Sequence, residues 1–125
     1  MAATGFIAFA FKYVLPHPGP PPELQRRVVR YGFGIAQPFS FPSGHTMRTT
    51  FFAATALRRA PAAAGALVLA MMTALVYLGD HWVSDVLGGL CLGWACAEIG
   101  RWAYGTFMPR AADLINERRA YAKRP

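Results

Sequence analysis

Apolar positions fall into four runs along the chain, and the prolines and charges between them mark the boundaries. Residues 1–15, MAATGFIAFAFKYVL, are apolar apart from Lys12. As a helix they reach roughly 22 Å, short of the roughly 30 Å hydrocarbon core of a bilayer, so they read as the end of a spanning helix or a half-span. Residues 16–22, PHPGPPP, exclude helix, because proline removes backbone donors and blocks the preceding turn. Residues 23–40 are mixed, with Arg26, Arg27 and Arg30 on a short amphipathic helix, and a second turn follows at Pro42. A helix is predicted from Ser43 to Leu57, stopped by the Arg58–Arg59 pair. Pro61 suits the first turn of the next helix, Ala60 to Gly79, which carries no charge and is the clearest transmembrane segment. The last runs from Trp82 to Tyr104, with Gly88, Gly89, Gly93, Ala95 and Ala97 letting a neighbour approach closely. Beyond Gly105 the chain turns polar and basic, which reads as a short surface helix.

Composition agrees with a membrane setting. Hydrophobic residues make up 54% of the 125 residues and charged residues 15%. Soluble domains carry about 25% charged residues. The length suits one domain, here an all-α transmembrane bundle over residues 1–105 and a basic tail over 106–125. The net charge of +7 would suit nucleic acid, but its placement argues against that partner. Arg58 and Arg59 sit in one short connection, and Arg101, Arg110, Arg118, Arg119, Lys123 and Arg124 fill the C-terminal end. Basic residues flanking apolar segments are what cytoplasmic loops carry. The Arg pair and the tail are therefore expected on the cytoplasmic side of a cell membrane, in a multi-pass chain. The turn before Ser43 and the junction YLGDHWVSD are expected on the extracytoplasmic side. Cys91 and Cys96 are five apart on different faces of one helix, which argues against a disulfide between them. The N-terminus lacks the basic start of a cleavable signal peptide.

This topology brings His45 and His81 to one membrane face, each at a helix start. Asp85 follows His81 by four residues, so the two stack on one helical face. The carboxylate can take one ring nitrogen of His81 and leave the other free as a nucleophile, the orienting logic of a triad. A lone interfacial His bonded to a backbone carbonyl is the plainer alternative; Asp85 and His45 weigh against it. Asp80 reads as a helix cap or a solvated acid. The Ser43-Gly44-His45 turn offers free N–H groups at a helix N-terminus, which attract phosphate. Ser43 suits a cap as well as a phosphate donor. Arg48, one turn on, is costly in an apolar helix unless paired or functional. Lys12 serves as a snorkelling anchor or a site cation.

These residues resemble a known family. FPSGHT over 41–46 and VYLGDHWVSDVLGG over 76–89 are similar to the second and third motifs of the type 2 phosphatidic acid phosphatase family, whose superfamily includes vanadium haloperoxidases. The resemblance spans residues 12 to about 100 and implies the C-terminal half of that helical fold. It implies that His81 attacks phosphorus to form a phosphohistidine, that Asp85 orients it, and that His45 protonates the leaving oxygen. It implies further that Lys12, Ser43 and the Gly44 N–H hold phosphate oxygens, with no metal and no cofactor.

Two positions depart from the family pattern. The first motif expects Arg where Gly19 stands, and the third expects Ser-Arg where the chain has Ala74-Leu75. Arginine clamps phosphate bidentately, which lysine does less well. Arg48 is expected to stand in for the Arg absent at 75, and Arg26, Arg27 or Arg30 for that absent at 19. The family usually has about six spanning helices, so the chain reads as a fragment or as one completed by partner helices or by a second copy. The expected activity is hydrolysis of a lipid phosphate or diphosphate: a polyprenyl (di)phosphate, phosphatidic acid or a prenyl-linked sugar phosphate. The alternatives are a catalytically silent lipid-phosphate-binding protein and a vanadate-dependent peroxidase.

Overall fold

Four helices account for the regular structure of the computed structural model, which describes residues 2–26 and 39–121, with side chains over 5–26 and 39–109. They are α1 (Ala2–Val14), α2 (Gly44–Ala56), α3 (Pro61–Tyr77) and α4 (Val83–Tyr121). Among the described residues there is no strand beyond an isolated bridge between Pro18 and Phe39. Arg27 and Arg30, and with them most of the expected amphipathic helix, lie outside the described residues. The part of that stretch that is described forms a short 3-10 turn, Pro22–Leu24.

Each boundary has a local cause. Ser43 caps α2: its Oγ accepts from the Thr46 N–H at 3.4 Å and from the Thr46 hydroxyl at 3.1 Å. Pro61 starts α3 at a position whose N–H has no helical partner. α3 stops at a glycine cap. Gly79 has φ +71, and the Gly79 and Asp80 N–H groups return to the Val76 and Leu75 carbonyls at 3.1 and 3.0 Å. A Cβ at Gly79 would also strike the Leu24 carbonyl, so only glycine lets the 3-10 turn lie against this cap.

α4 packs along α2, and two glycines set how closely. A Cβ on Gly89 would lie 2.5 Å from the Ser43 carbonyl oxygen, and one on Gly93 would strike the Met47 carbonyl. Of the small residues foreseen in the last helix, Gly89 and Gly93 therefore admit backbone, while Gly88 faces the Phe41 ring and Ala95 is exposed. Met47 and Val86 fill the core between the helices, with Thr46, Ala53 and Ala97 beside them. At the far end Arg101 Nη1 donates to the Ala54 carbonyl at 3.1 Å and pairs with Glu98, satisfying an acceptor in the last turn of α2. α1 joins through Ala8, whose Cβ would sit 3.9 Å from a Cβ placed on Gly44.

Two expectations about length change. α3 has 17 residues, because the glycine cap ends it; among the described residues, the stretch long and apolar enough to cross a membrane is the 27 residues Val83–Pro109 of α4. That helix also runs on past Gly105 and Pro109 to Tyr121, so among the described residues no separate surface helix follows. Pro109 costs the Gly105 carbonyl its helical donor without ending the helix.

The close approach is testable. Gly93→Ala is expected to lower stability by about 1–3 kcal/mol, since its new Cβ meets backbone that cannot yield. Gly100→Ala, where nothing lies within 4 Å, is expected to raise stability by roughly 0.5–1 kcal/mol. Unfolding midpoints in detergent micelles compare the two.

Candidate active site

The first turn of α4 builds the centre of the site. Asp85 is the third residue of the helix, where a carboxylate reaches back to the N-cap N–H. Its Oδ2 accepts from the Trp82 N–H at 2.9 Å. The capping role considered for Asp80 therefore has an occupant in Asp85. The same Oδ2 lies 3.4 Å from His81 Nδ1, and the Asp85 side chain is completely buried. A carboxylate only accepts, so the ring hydrogen sits on Nδ1 and leaves the Nε2 lone pair free.

A single backbone bond ties this dyad to the second helix start. The Ser43 N–H donates to the Asp85 carbonyl oxygen at 2.9 Å. The Ser-Gly-His turn and the His81–Asp85 pair, some 40 residues apart in the chain, are thereby held at one end of the bundle. Ser43 itself is fully buried and spends its oxygen on the Thr46 cap; Gly44 and His45 are the accessible part of the turn.

The cations gather at the same end. Lys12, in the last turn of α1, donates to the Phe39 carbonyl at 2.8 Å. Arg48 folds back over its own turn, with Nε donating to the Gly44 carbonyl at 3.1 Å. Arg48, Asp80 and Lys12 all act electrostatically on His45, and Lys12 and His45 both act on His81. Burial pushes the His81 imidazole below its ordinary pKa; the Asp85 charge and hydrogen bond pull the other way, and Lys12 and His45 add to the lowering. The result favours a neutral ring, the form that can attack.

Positions 19 and 75 take different surroundings. Gly19 faces Ser40, and Leu75 is buried in the helix packing. Arg26 stacks on the Tyr77 ring at 3.7 Å, and its N–H donates to the Leu78 carbonyl. The site also contains a residue that the pattern of positions did not single out. His17 Nδ1 lies 3.5 Å from Asp85 Oδ1, and the adjoining Pro18 carbonyl accepts from Trp82 Nε1 at 3.0 Å. His17, Pro18 and Gly19 line a cavity of about 520 Å³ with Trp82, Val83 and Ser84. The one signal was a histidine held between two prolines beside an apolar helix.

An oriented neutral imidazole, a second imidazole, two cations and an open helix N-terminus suit attack on an anionic centre. Residues 1–109 match the family model described as the PAP2 superfamily. No curated protein and no solved structure matches the chain.

The electrostatics give a sign that can be checked. In a histidine NMR titration His81 is expected to protonate at a midpoint below 6.5, its ordinary value. Asp85→Asn removes the charge that favours imidazolium and is expected to move the midpoint lower still. Because folding lowers this pKa, the His81 contribution to stability is present above about 6.5 and is lost as pH falls below it.

Proposed function

The chain belongs to the PAP2 superfamily, a family of phosphatase type, and we propose that it is an integral-membrane phosphatase acting on a lipid phosphate or diphosphate. The observation that carries this reading is the buried Asp85 holding His81 by Nδ1 beside the Ser43-Gly44-His45 turn. His81 Nε2 attacks the terminal phosphorus, and its bond to the leaving oxygen breaks, the lipid oxygen of a monophosphate or the bridging oxygen of a diphosphate. His45, in its protonated form, gives its proton to that oxygen. The phosphohistidine ring is cationic and keeps its Nδ1–H on Asp85. Water then attacks phosphorus, His45 takes the water proton, and the P–N electron pair returns to His81. Lys12, the Gly44 N–H and Arg48, with Ser43 shaping the turn, hold the phosphoryl oxygens as charge builds on them.

Membrane residence is supported by α4 and by the outward apolar side chains of three helices. Phe6 and Phe9 on α1, Leu69 and Tyr77 on α3, and Trp94, Ile99, Trp102 and Phe107 on α4 are all exposed. Faces of this kind suit lipid, further helices or a second copy. The Arg101–Ala54 bond puts the Arg58–Arg59 end of the bundle opposite the site. With basic residues facing the cytoplasm, the site opens on the extracytoplasmic side, at headgroup level. Substrates of this shape include phosphatidic acid, polyprenyl (di)phosphates and prenyl-linked sugar phosphates. Gly19 and the buried Leu75 favour a second reading, a silent binder of lipid phosphates, because neither supplies a cation.

Phosphate release from a panel of these lipids by the protein in detergent separates the readings. Release is expected, and His81→Ala is expected to lower it about 10³-fold or more. A folded protein that releases nothing yet binds the lipids is the silent form. Arg48→Ala is expected to lower kcat/KM about 10- to 100-fold, the range for losing one donor to the developing charge. Full activity in that variant at unchanged KM removes Arg48 from the site.

A further inference from the structure

His17 is the one histidine that the reaction written above leaves unused. It stands between Pro16 and Pro18, with 46% of its side chain exposed and Nδ1 turned inward. That nitrogen lies 3.5 Å from Asp85 Oδ1 and 3.4 Å from Ser40 Oγ. Two observations fix where its hydrogen goes. The Ser40 hydroxyl donates to the His17 carbonyl at 3.2 Å, beside the Ser40 N–H bond to the same oxygen at 2.8 Å. With its hydrogen spent there, Ser40 Oγ is an acceptor toward the ring. Asp85 Oδ1 is a carboxylate oxygen and likewise only accepts. A ring nitrogen flanked by two acceptors carries the hydrogen.

Asp85 needs such a donor. Both the Trp82 N–H and His81 approach Oδ2. Oδ1 is buried, and among the described residues it accepts no hydrogen bond of ordinary geometry. Rotation about the last bond of an Asp side chain is broad, so groups pulling on one oxygen leave the carboxylate plane free to turn. The loop around His17 is built to hold a ring in place. Two prolines fix its backbone, Pro18 bridges to Phe39, and the Pro18 carbonyl is bonded to the same Trp82 whose N–H meets Asp85.

We propose that His17 is a positioning residue of this site: its Nδ1–H secures the Oδ1 side of Asp85, so that Oδ2 stays aimed at His81. One buried carboxylate then holds two imidazoles, one on each oxygen. His17 does not touch the reacting atoms; its effect passes through Asp85 to His81.

The kinetic arm of the test rests on the phosphatase reading, and the spectroscopic arm does not. His17→Ala is expected to lower kcat about 10-fold with KM within about twofold, as loss of an outer partner of a functional group does. His17→Asn, whose amide N–H can occupy the Nδ1 position, is expected to recover most of that loss. A raised KM at unchanged kcat, or equal losses in the two variants, overturns the proposal. The second arm uses 15N-histidine spectra of the whole chain in micelles. His17 and His81 are both expected as the Nδ1–H form, and Asp85→Asn is expected to shift both rings. His17 in the Nε2–H form, or a shift confined to His81, overturns the proposal even if His17→Ala does not fold. A wild-type protein that hydrolyses no lipid phosphate removes the phosphatase reading alone, and the spectra still decide His17.

Discussion

Everything at the functional end depends on how closely α4 approaches α2. Gly89 and Gly93 lie one turn apart on α4 and take the place of side chains against the Ser43 and Met47 carbonyls. Remove that clearance and the helices separate by the width of a methyl group or more. The Ser43 N–H would then lose the Asp85 carbonyl, and the His45 turn would lose its register with His81. Dispersion falls off steeply with distance, so the packing of Met47 and Val86 depends on the same clearance. A packing feature thus sets the geometry of a polar site.

Asp85 shows how much one buried charge can be made to do. As the third residue of α4 it meets the N-cap N–H and sits in the favourable field of the helix N-terminus. Its other contacts are rings, His81 at Oδ2 and His17 at Oδ1. Burying a carboxylate is costly unless it is bonded, and here the bonds at Oδ2 that offset the cost also orient the His81 ring and the start of α4. Stability and orientation therefore come from the same few contacts.

The two ends of the bundle differ in character. At one end the helix starts of α2 and α4 meet, with Lys12, Arg48 and the histidines around them. At the other, Arg101 closes the end of α2 while aromatic side chains of α4 point outward. The outward face holds Trp94, Ile99, Trp102 and Phe107, more apolar surface than a water-facing helix normally carries.

The sequence by itself determined the local features. The start of α2 at Ser43, the proline start of α3, the four-residue step from His81 to Asp85 and the glycine-rich face of α4 follow from caps, breakers and helical period. Their joint placement of Ser43, His45, His81 and Asp85 at one end follows from counting helices. Only the tertiary structure decided the rest. It ended α3 at Tyr77, two residues before the expected Gly79, because the cap needs the positive φ of Gly79 with Leu24 packed against it. It folded Arg48 onto the Gly44 carbonyl and left Leu75 in the packing. It brought His17 to Asp85 across 68 positions, through a Pro-rich segment with no period to read. Caps and periods act over one or two turns and are written in neighbouring residues. A contact between distant segments depends on where both backbones end up, which no local pattern encodes.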